Sequence, residues 1–333
     1  MKPTSFPLLL HAFFHDWLVQ QRNIARHTIL SYRDSWRLFL RFVAARKSKS
    51  VAQLDLVELT ATQVLAFLQH LEQERKVSIG TRNCRLAALR SFFGFLADRE
   101  PLVSAQCAEV LRIPVKRAPQ PAICYLEENE INAILAQPDR STIEGQRDHV
   151  LLAVLYNTGA RIQEALNLSP QAMRLQSPCQ VRLIGKGGKE RICPLWPETV
   201  ELLQALLKRQ PRGNAESIFV NRYGNPLGAA GVRFKLNQYV RAAAKSVTSL
   251  TSKRVSPHTF RHSTAVSLVA AGVDVTVIRS WLGHVSLDTT NHYARASTET
   301  KRQALEKVGE SVRATKPPRW KRDVELMAWL DSL

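Results

Sequence analysis

Residues 256–272 read SPHTFRHSTAVSLVAAG, and His258 and Arg261 stand at the head of a predicted helix over 259–271. Upstream, residues 158–166 read TGARIQEAL around Arg161, and the turn 185–189, Gly-Lys-Gly-Gly-Lys, carries Lys186. Downstream, residues 281–284 read WLGH, and Tyr293 follows His284 by nine positions. Two arginines, a lysine, two histidines and a tyrosine are the side chains needed to cut a phosphodiester without a metal. Arginine holds two non-bridging oxygens in a planar fork, so a pair can neutralise the charge that develops on phosphate. A lysine on a hairpin can protonate the leaving oxygen, and histidines suit proton transfer near neutrality. A deprotonated phenol is a nucleophile whose phosphotyrosyl ester keeps the bond energy for resealing, so the chemistry calls for neither metal nor ATP.

The bulk properties agree with a nucleic-acid substrate. The 333 residues suggest about two domains with substantial cores. Lys and Arg number 47 against 28 Asp and Glu, a net +19 that favours a polyanionic partner. Of that excess, +7 falls in residues 1–100 and +12 beyond, so the charge is spread along the chain and not confined to a tail. A long groove around nucleic acid fits this distribution better than a basic membrane anchor. Five scattered cysteines (Cys84, Cys107, Cys124, Cys179, Cys193) form no CxxC pair, which points to reduced thiols of a cytoplasmic protein. The apolar start is broken by Pro7, His11, His15 and Asp16, so it reads as a first core helix and not a signal peptide. No uncharged apolar run is long enough to span a membrane.

Residues 1–100 read as helices. Over 28–43, Tyr32, Trp36, Phe39 and Leu40 make a buried face beside a basic stripe of Arg33, Arg37 and Arg41. Over 81–96, Leu86, Leu89, Phe92 and Phe93 point inward, with Arg82, Arg85 and Arg90 expected mostly outward. Thr60 or Thr62 can cap a helix between them that carries Val64, Phe67, Leu68 and Leu71. Such arginines can contact phosphates that position a duplex without reading its sequence. Residues 101–125 hold Pro101, Pro114, Pro119 and Pro121 with Lys116 and Arg117, and read as an extended basic linker. Beyond it, helices are expected at 126–135, 148–156, 198–209, 229–244, 259–271, 275–282 and 298–308. Strands at 180–184 and 191–195 flank the glycine-lysine turn as a hairpin. The expected layout is therefore a helical DNA-binding domain (1–100), the linker (101–125), a catalytic domain (126–310) and a tail (311–333).

The motifs TGARIQEALNL, IGKGGKERICPL, SPHTFRHSTAVSLVAAG and WLGHVSLDTTNHYAR resemble those of tyrosine recombinases of the phage integrase family, Xer-like members included. The resemblance covers roughly residues 6–300. It implies a mainly α fold with a small β-sheet: a helical, SAM-like core-binding domain and an α/β catalytic domain that form a C-shaped clamp on DNA. It also implies roles. Arg161 and Arg261 would clamp the phosphate, Lys186 would be the general acid toward the 5′-oxygen, and His258 would assist proton transfer. His284 would hydrogen-bond the phosphate, Tyr293 would be the nucleophile, and Glu164 would support Arg161 from the same helical face. Lys189 shares the turn with Lys186 and is the alternative acid, the motif match favouring Lys186; otherwise it is a DNA contact. The implied reaction leaves a 3′-phosphotyrosyl link and proceeds through a Holliday junction, serving integration, transposition or resolution. The implied partners are double-stranded DNA with a specific recombination site and a synaptic tetramer, a dimer of dimers, built by this chain alone or with a partner recombinase. No cofactor is implied, and the chain is expected in the cytoplasm, on the nucleoid when bound to DNA.

Rival readings of the same residues are weaker. His258 and His262 stand four apart, as in a zinc-binding helix, but Arg261 lies between them and no Glu does. Among the tyrosines only Tyr293 has His and Arg companions at motif spacing. A catalytically silent DNA-binding protein and a type IB topoisomerase share parts of this signature. Residues 323–333 carry an apolar helical pattern, read either as docking on a neighbouring protomer or as packing on the chain's own domain.

Overall fold

The computed structural model describes residues 5–118 and 123–283, with Lys186 described by its backbone alone. The chain divides into two compact units at residues 121/122. His284, Tyr293, the helix expected at 298–308 and the tail 311–333 lie outside the described residues.

In the first unit, α1 (Phe6–Ala12) continues as a π-helical segment (Phe13–Gln21), followed by α2 (Arg26–Lys47), α3 (Ala61–Gln73), α4 (Ile79–Ala97) and α5 (Ser104–Arg112). Capping follows the local chemistry: Thr60 Oγ1 accepts from the Gln63 amide at the start of α3, and Ser78 Oγ from that of Thr81 at the start of α4. The core is aromatic. Trp36 of α2 and Phe92 of α4 stack edge-on with ring centroids 4.6 Å apart, and Phe13 meets Phe92 at 5.2 Å. Each such ring, fully buried, stabilises the unit by roughly 1.5–3 kcal/mol.

Two expectations are corrected here. The segment 101–125 is not extended throughout, because α5 occupies its first half and buries Cys107 and Val110 in the core, with Ile113 just beyond its end. The prolines frame the stretch 104–112 without entering it, so nothing blocks the helix, and the i, i+3 spacing of Cys107 and Val110 gives it an apolar face. Arg82 does not point outward: it is 7% exposed, paired with Glu72 at 3.3 Å and donating to the Pro114 carbonyl. Position 82 falls four before Leu86 and so shares its buried face; the arginine is tolerated there because an acid and a carbonyl meet it.

The second unit holds α6 (Glu128–Leu135), α7 (Ile143–Thr158), α8 (Ile162–Leu166), the sheet β1 (Met173–Arg174), β2 (Gln180–Ile184) and β3 (Glu190–Pro194), then α9 (Pro197–Arg209), α10 (Ala229–Ala243), α11 (Pro257–Ala270) and α12 (Val275–Leu282). The sheet is antiparallel in the order β1-β2-β3, with Gln180 opposite Pro194 and Ile184 opposite Glu190, so the expected hairpin forms. Val181, Leu183 and Cys193 face the core by strand alternation. Helix α7 is buried on most sides, and α10 lays Val232, Leu236 and Val240 against the same core. No helix among the described residues is long and apolar enough to cross a membrane.

Candidate active site

The site is assembled where α7 stops. Gly159 terminates that helix with φ +59°, a conformation glycine adopts without strain. The position also has no room: a Cβ there would lie 2.5 Å from a Leu282 methyl at the end of α12. The chain then turns extended at Arg161 and enters α8, where the Glu164 carboxylate accepts from the Arg161 amide at 2.9 Å and from its Nη1 at 2.8 Å. Arg161 remains 36% exposed while Glu164 is 4% exposed. The three-residue spacing read from the sequence thus becomes a buried acid holding an accessible guanidinium.

Arg261, on the first turns of α11, is 3% exposed and ties two other motifs together. Its Nη1 donates to the Gly159 carbonyl at 2.7 Å and its Nη2 to that of Leu282 at 2.5 Å. The last carbonyls of a helix lack intrahelical partners and carry the negative end of its dipole, so a cation is suited to the end of α12. Helix α12 closes at Gly283, φ +64°.

The hairpin turn reaches the same place. Gly185 N donates to the Lys189 carbonyl at 2.8 Å, and Gly187 and Gly188 adopt φ +77° and +73°. The space beside the Gly185 Cα is occupied: a Cβ would meet Glu164 Oε1 at 3.0 Å and Arg161 Nη1 at 3.8 Å. The turn that carries Lys186 therefore starts, at Gly185, beside the Arg161–Glu164 pair. Lys189, at the other end of the turn, is exposed.

His258, the second residue of α11, is exposed along one side yet set in a cation-rich surround. Desolvation by the protein around it lowers its pKa below 6.5, and Arg261, Arg161 and Arg233 push further in that direction against the opposing pull of Glu164. The imidazole is thereby kept neutral near pH 7 and able to take up a proton. The His262 ring stacks 6.5 Å away, and among the described residues no group of three metal-binding side chains occurs. Burial alone would raise the Glu164 pKa, but hydrogen bonds from Arg191 and from the Arg161 amide and side chain reverse that and hold it below its usual range.

Sequence reasoning passed over Arg191 on β3. It is 8% exposed, donates from Nη2 to Glu164 Oε2 at 2.6 Å, and from Nε to the Trp281 carbonyl at 2.9 Å. A signal existed: Arg191 stands two before the buried Cys193, hence on the inward face of the strand, where a lone cation needs a buried partner. Arg233 on α10 was likewise passed over as a charge near His258.

Of the expected DNA contacts, Arg33, Arg37 and Arg41 are exposed on α2, with Arg33 paired to Asp34 at 2.9 Å. Arg85 is half-buried and donates to Ser35 Oγ at 2.9 Å and to the Ser31 carbonyl, joining α4 to α2. Lys116 and Arg117 are exposed, Lys116 forming an ion pair with Glu72.

The comparisons with known proteins place the chain in a family. Residues 124–300 match the phage integrase family and residues 12–100 the phage integrase N-terminal SAM-like domain. The provisionally named integrase/recombinase y4rC of Sinorhizobium fredii is 40% identical over 332 residues, covering 100% of this chain and 99% of that protein. Tyrosine recombinase XerC of Pelobacter propionicus is 32% identical over 305 residues, covering 91% and 96%. Among solved structures, XerH site-specific recombinase bound to palindromic difH superposes with a TM-score of 0.67 at 22% identity, covering 85% of this chain and 80% of that one. This chain belongs to the phage integrase family and is a tyrosine-type site-specific recombinase. The reaction of that family is DNA cleavage and rejoining through a phosphotyrosyl link.

Proposed function

We propose that Arg161, Lys186, His258, Arg261, His284 and Tyr293 form the active site, acting on double-stranded DNA that carries a specific recombination site. Tyr293 attacks the scissile phosphorus, and its phenol proton passes to neutral His258. The bond to the 5′-oxygen breaks as Lys186 protonates that oxygen. Arg161 and Arg261 neutralise the non-bridging oxygens, with His284 as a further donor. The 3′-phosphotyrosyl ester is then attacked by the 5′-hydroxyl of a partner duplex, and a second round resolves the Holliday junction. The observation that carries this reading is the convergence of Arg161, the Lys186 turn, and His258 with Arg261 from three separate stretches of sequence, held by Glu164 and two helix-end carbonyls.

The division of labour follows: residues 1–100 bind the core of the site, with α5 as an added helix, residues 126–310 catalyse in a tetramer, with or without a partner recombinase, and 311–333 serve either to dock on a neighbouring protomer or to pack on the chain's own domain. The exposed Arg33, Arg37, Arg41, Arg117 and Lys189 contact phosphates. The chain works in the cytoplasm on nucleoid DNA. The test is a nicked duplex bearing the site recovered by selection from random DNA. Wild type accumulates a covalent adduct without added metal and Tyr293→Phe does not; an undiminished adduct in Tyr293→Phe overturns the assignment.

A further inference from the structure

We propose that Arg191 is a positioning residue for strand cleavage, one that neutralises Glu164 so that Arg161 is left available to the scissile phosphate. The inference rests on the assignment of Arg161 as a phosphate clamp.

The geometry sets up a competition. Glu164 is a buried carboxylate, and Arg161 is the only one of its two guanidinium partners with substantial access to solvent (36% against 8%). A phosphate arriving at Arg161 must share that cation with Glu164. Arg191 alters the terms: its 2.6 Å bond to Oε2 gives Glu164 a second, permanent counter-charge on the inward side. Its Nε is meanwhile anchored on the Trp281 carbonyl, and the Cys193 thiol donates to the same oxygen at 3.4 Å. One planar fork thus joins β3, the α8 carboxylate and the end of α12, each contributed by a different motif. A Cβ at Gly283 would come within 3.1 Å of the Arg191 Cδ, so the cap of α12 is fitted closely around this side chain. The charge of Arg191 is itself committed to the Glu164 carboxylate. Without it, Glu164 would be left with Arg161 alone and would draw that guanidinium inward, away from the substrate.

The experiment measures single-turnover cleavage of a nicked duplex carrying the site selected by the full-length wild-type chain. Arg191→Gln, Arg191→Lys and Arg161→Gln are compared on two substrates. One has the ordinary phosphodiester; the other has a methylphosphonate at the scissile position, where a methyl group replaces a charged oxygen and less positive charge is needed. Duplex binding and thermal melting are recorded for each. A displacement of about 1 Å can cost on the order of 10²-fold in rate, so Arg191→Gln is expected to cleave the phosphodiester about 10- to 100-fold more slowly while binding the duplex normally. Lysine keeps the charge beside Glu164 but lacks the planar fork whose separate Nε and Nη2 reach the Trp281 carbonyl and Glu164, so Arg191→Lys is expected to cleave faster than Arg191→Gln and more slowly than wild type. On the methylphosphonate the deficits of both Arg191 variants shrink together with that of Arg161→Gln. A loss of equal size on both substrates would mean a merely structural role and overturn the proposal, as would wild-type cleavage by folded Arg191→Gln or failure of both variants to fold. If Arg161→Gln itself cleaves the phosphodiester normally, the active-site assignment falls and this inference with it. A defect in Arg161→Gln alone sinks only the inference.

Discussion

Replacing Glu164 by Gln keeps the shape of the side chain and removes its charge, which isolates the electrostatic contribution of the buried acid. Breaking a buried pair by deleting one partner costs about 3–5 kcal/mol, because the other charge is left uncompensated. Of the two guanidinium groups on Glu164, Arg161 is more than a third exposed and will be rehydrated, so only Arg191, 8% exposed, pays in full. A glutamine oxygen can still accept one hydrogen bond, but its NH2 would face an N–H donor. The expected loss is therefore at the low end, about 3 kcal/mol in the second unit at pH 7. The pH dependence has a definite sign. The Glu164 carboxyl is held below its ordinary value of 4.5, so its contribution is fully present above that value and is lost as the pH falls through its folded pKa. The gap between wild type and Glu164→Gln should be widest near neutrality and close below about pH 4.5. Amide hydrogen exchange of α7 peptides, followed against urea from pH 7 to 3, reads the second unit without interference from the first. A gap under about 1 kcal/mol at pH 7, or one unchanged down to pH 3, would refute the buried-pair account.

Gly159→Ala places a methyl 2.5 Å from Leu282 at φ +59°, and should destabilise the second unit by about 2–4 kcal/mol in urea unfolding; a loss within error would show that the α7–α12 contact yields easily. The His258 ring, followed by NMR in the free protein, should titrate below 6.5 and move upward when a duplex brings a phosphate to Arg161 and Arg261. Because its folded pKa is depressed, its contribution to stability is present above pH 6.5 and falls as the pH drops; a titration at or above 6.5 in the free protein contradicts the cation-rich surround. Arg37→Met should weaken duplex binding and reduce the log–log salt slope by about 1, whereas Arg82→Met should lower the unfolding midpoint of the first unit and leave the slope unchanged. Equal slopes for both variants would show that exposure on α2 does not predict phosphate contact.

Short-range pattern carried the sequence a long way. The helical spacing of Trp36, Phe39 and Leu40 locates the buried face of α2, and the glycine turn between two alternating stretches places the β2–β3 hairpin. Arg161 and Glu164 are three apart, so their pairing is dictated locally, and the order of the motifs is enough to propose the chemistry. These features depend on neighbours within a few residues, whose geometry the backbone sets by itself. Partners distant along the chain were decided by tertiary structure. Arg82 could face water or a buried acid, and the packing of α3 and α5 against α4 settled it inward, toward Glu72. The stretch 104–112, set among prolines, became a helix because a core was there to receive Cys107 and Val110. Arg191 meets Glu164 from 27 residues away and Trp281 from 90. A cation on the inner face of a strand announces only that some partner must be buried with it; which one depends on how the helices close over the sheet.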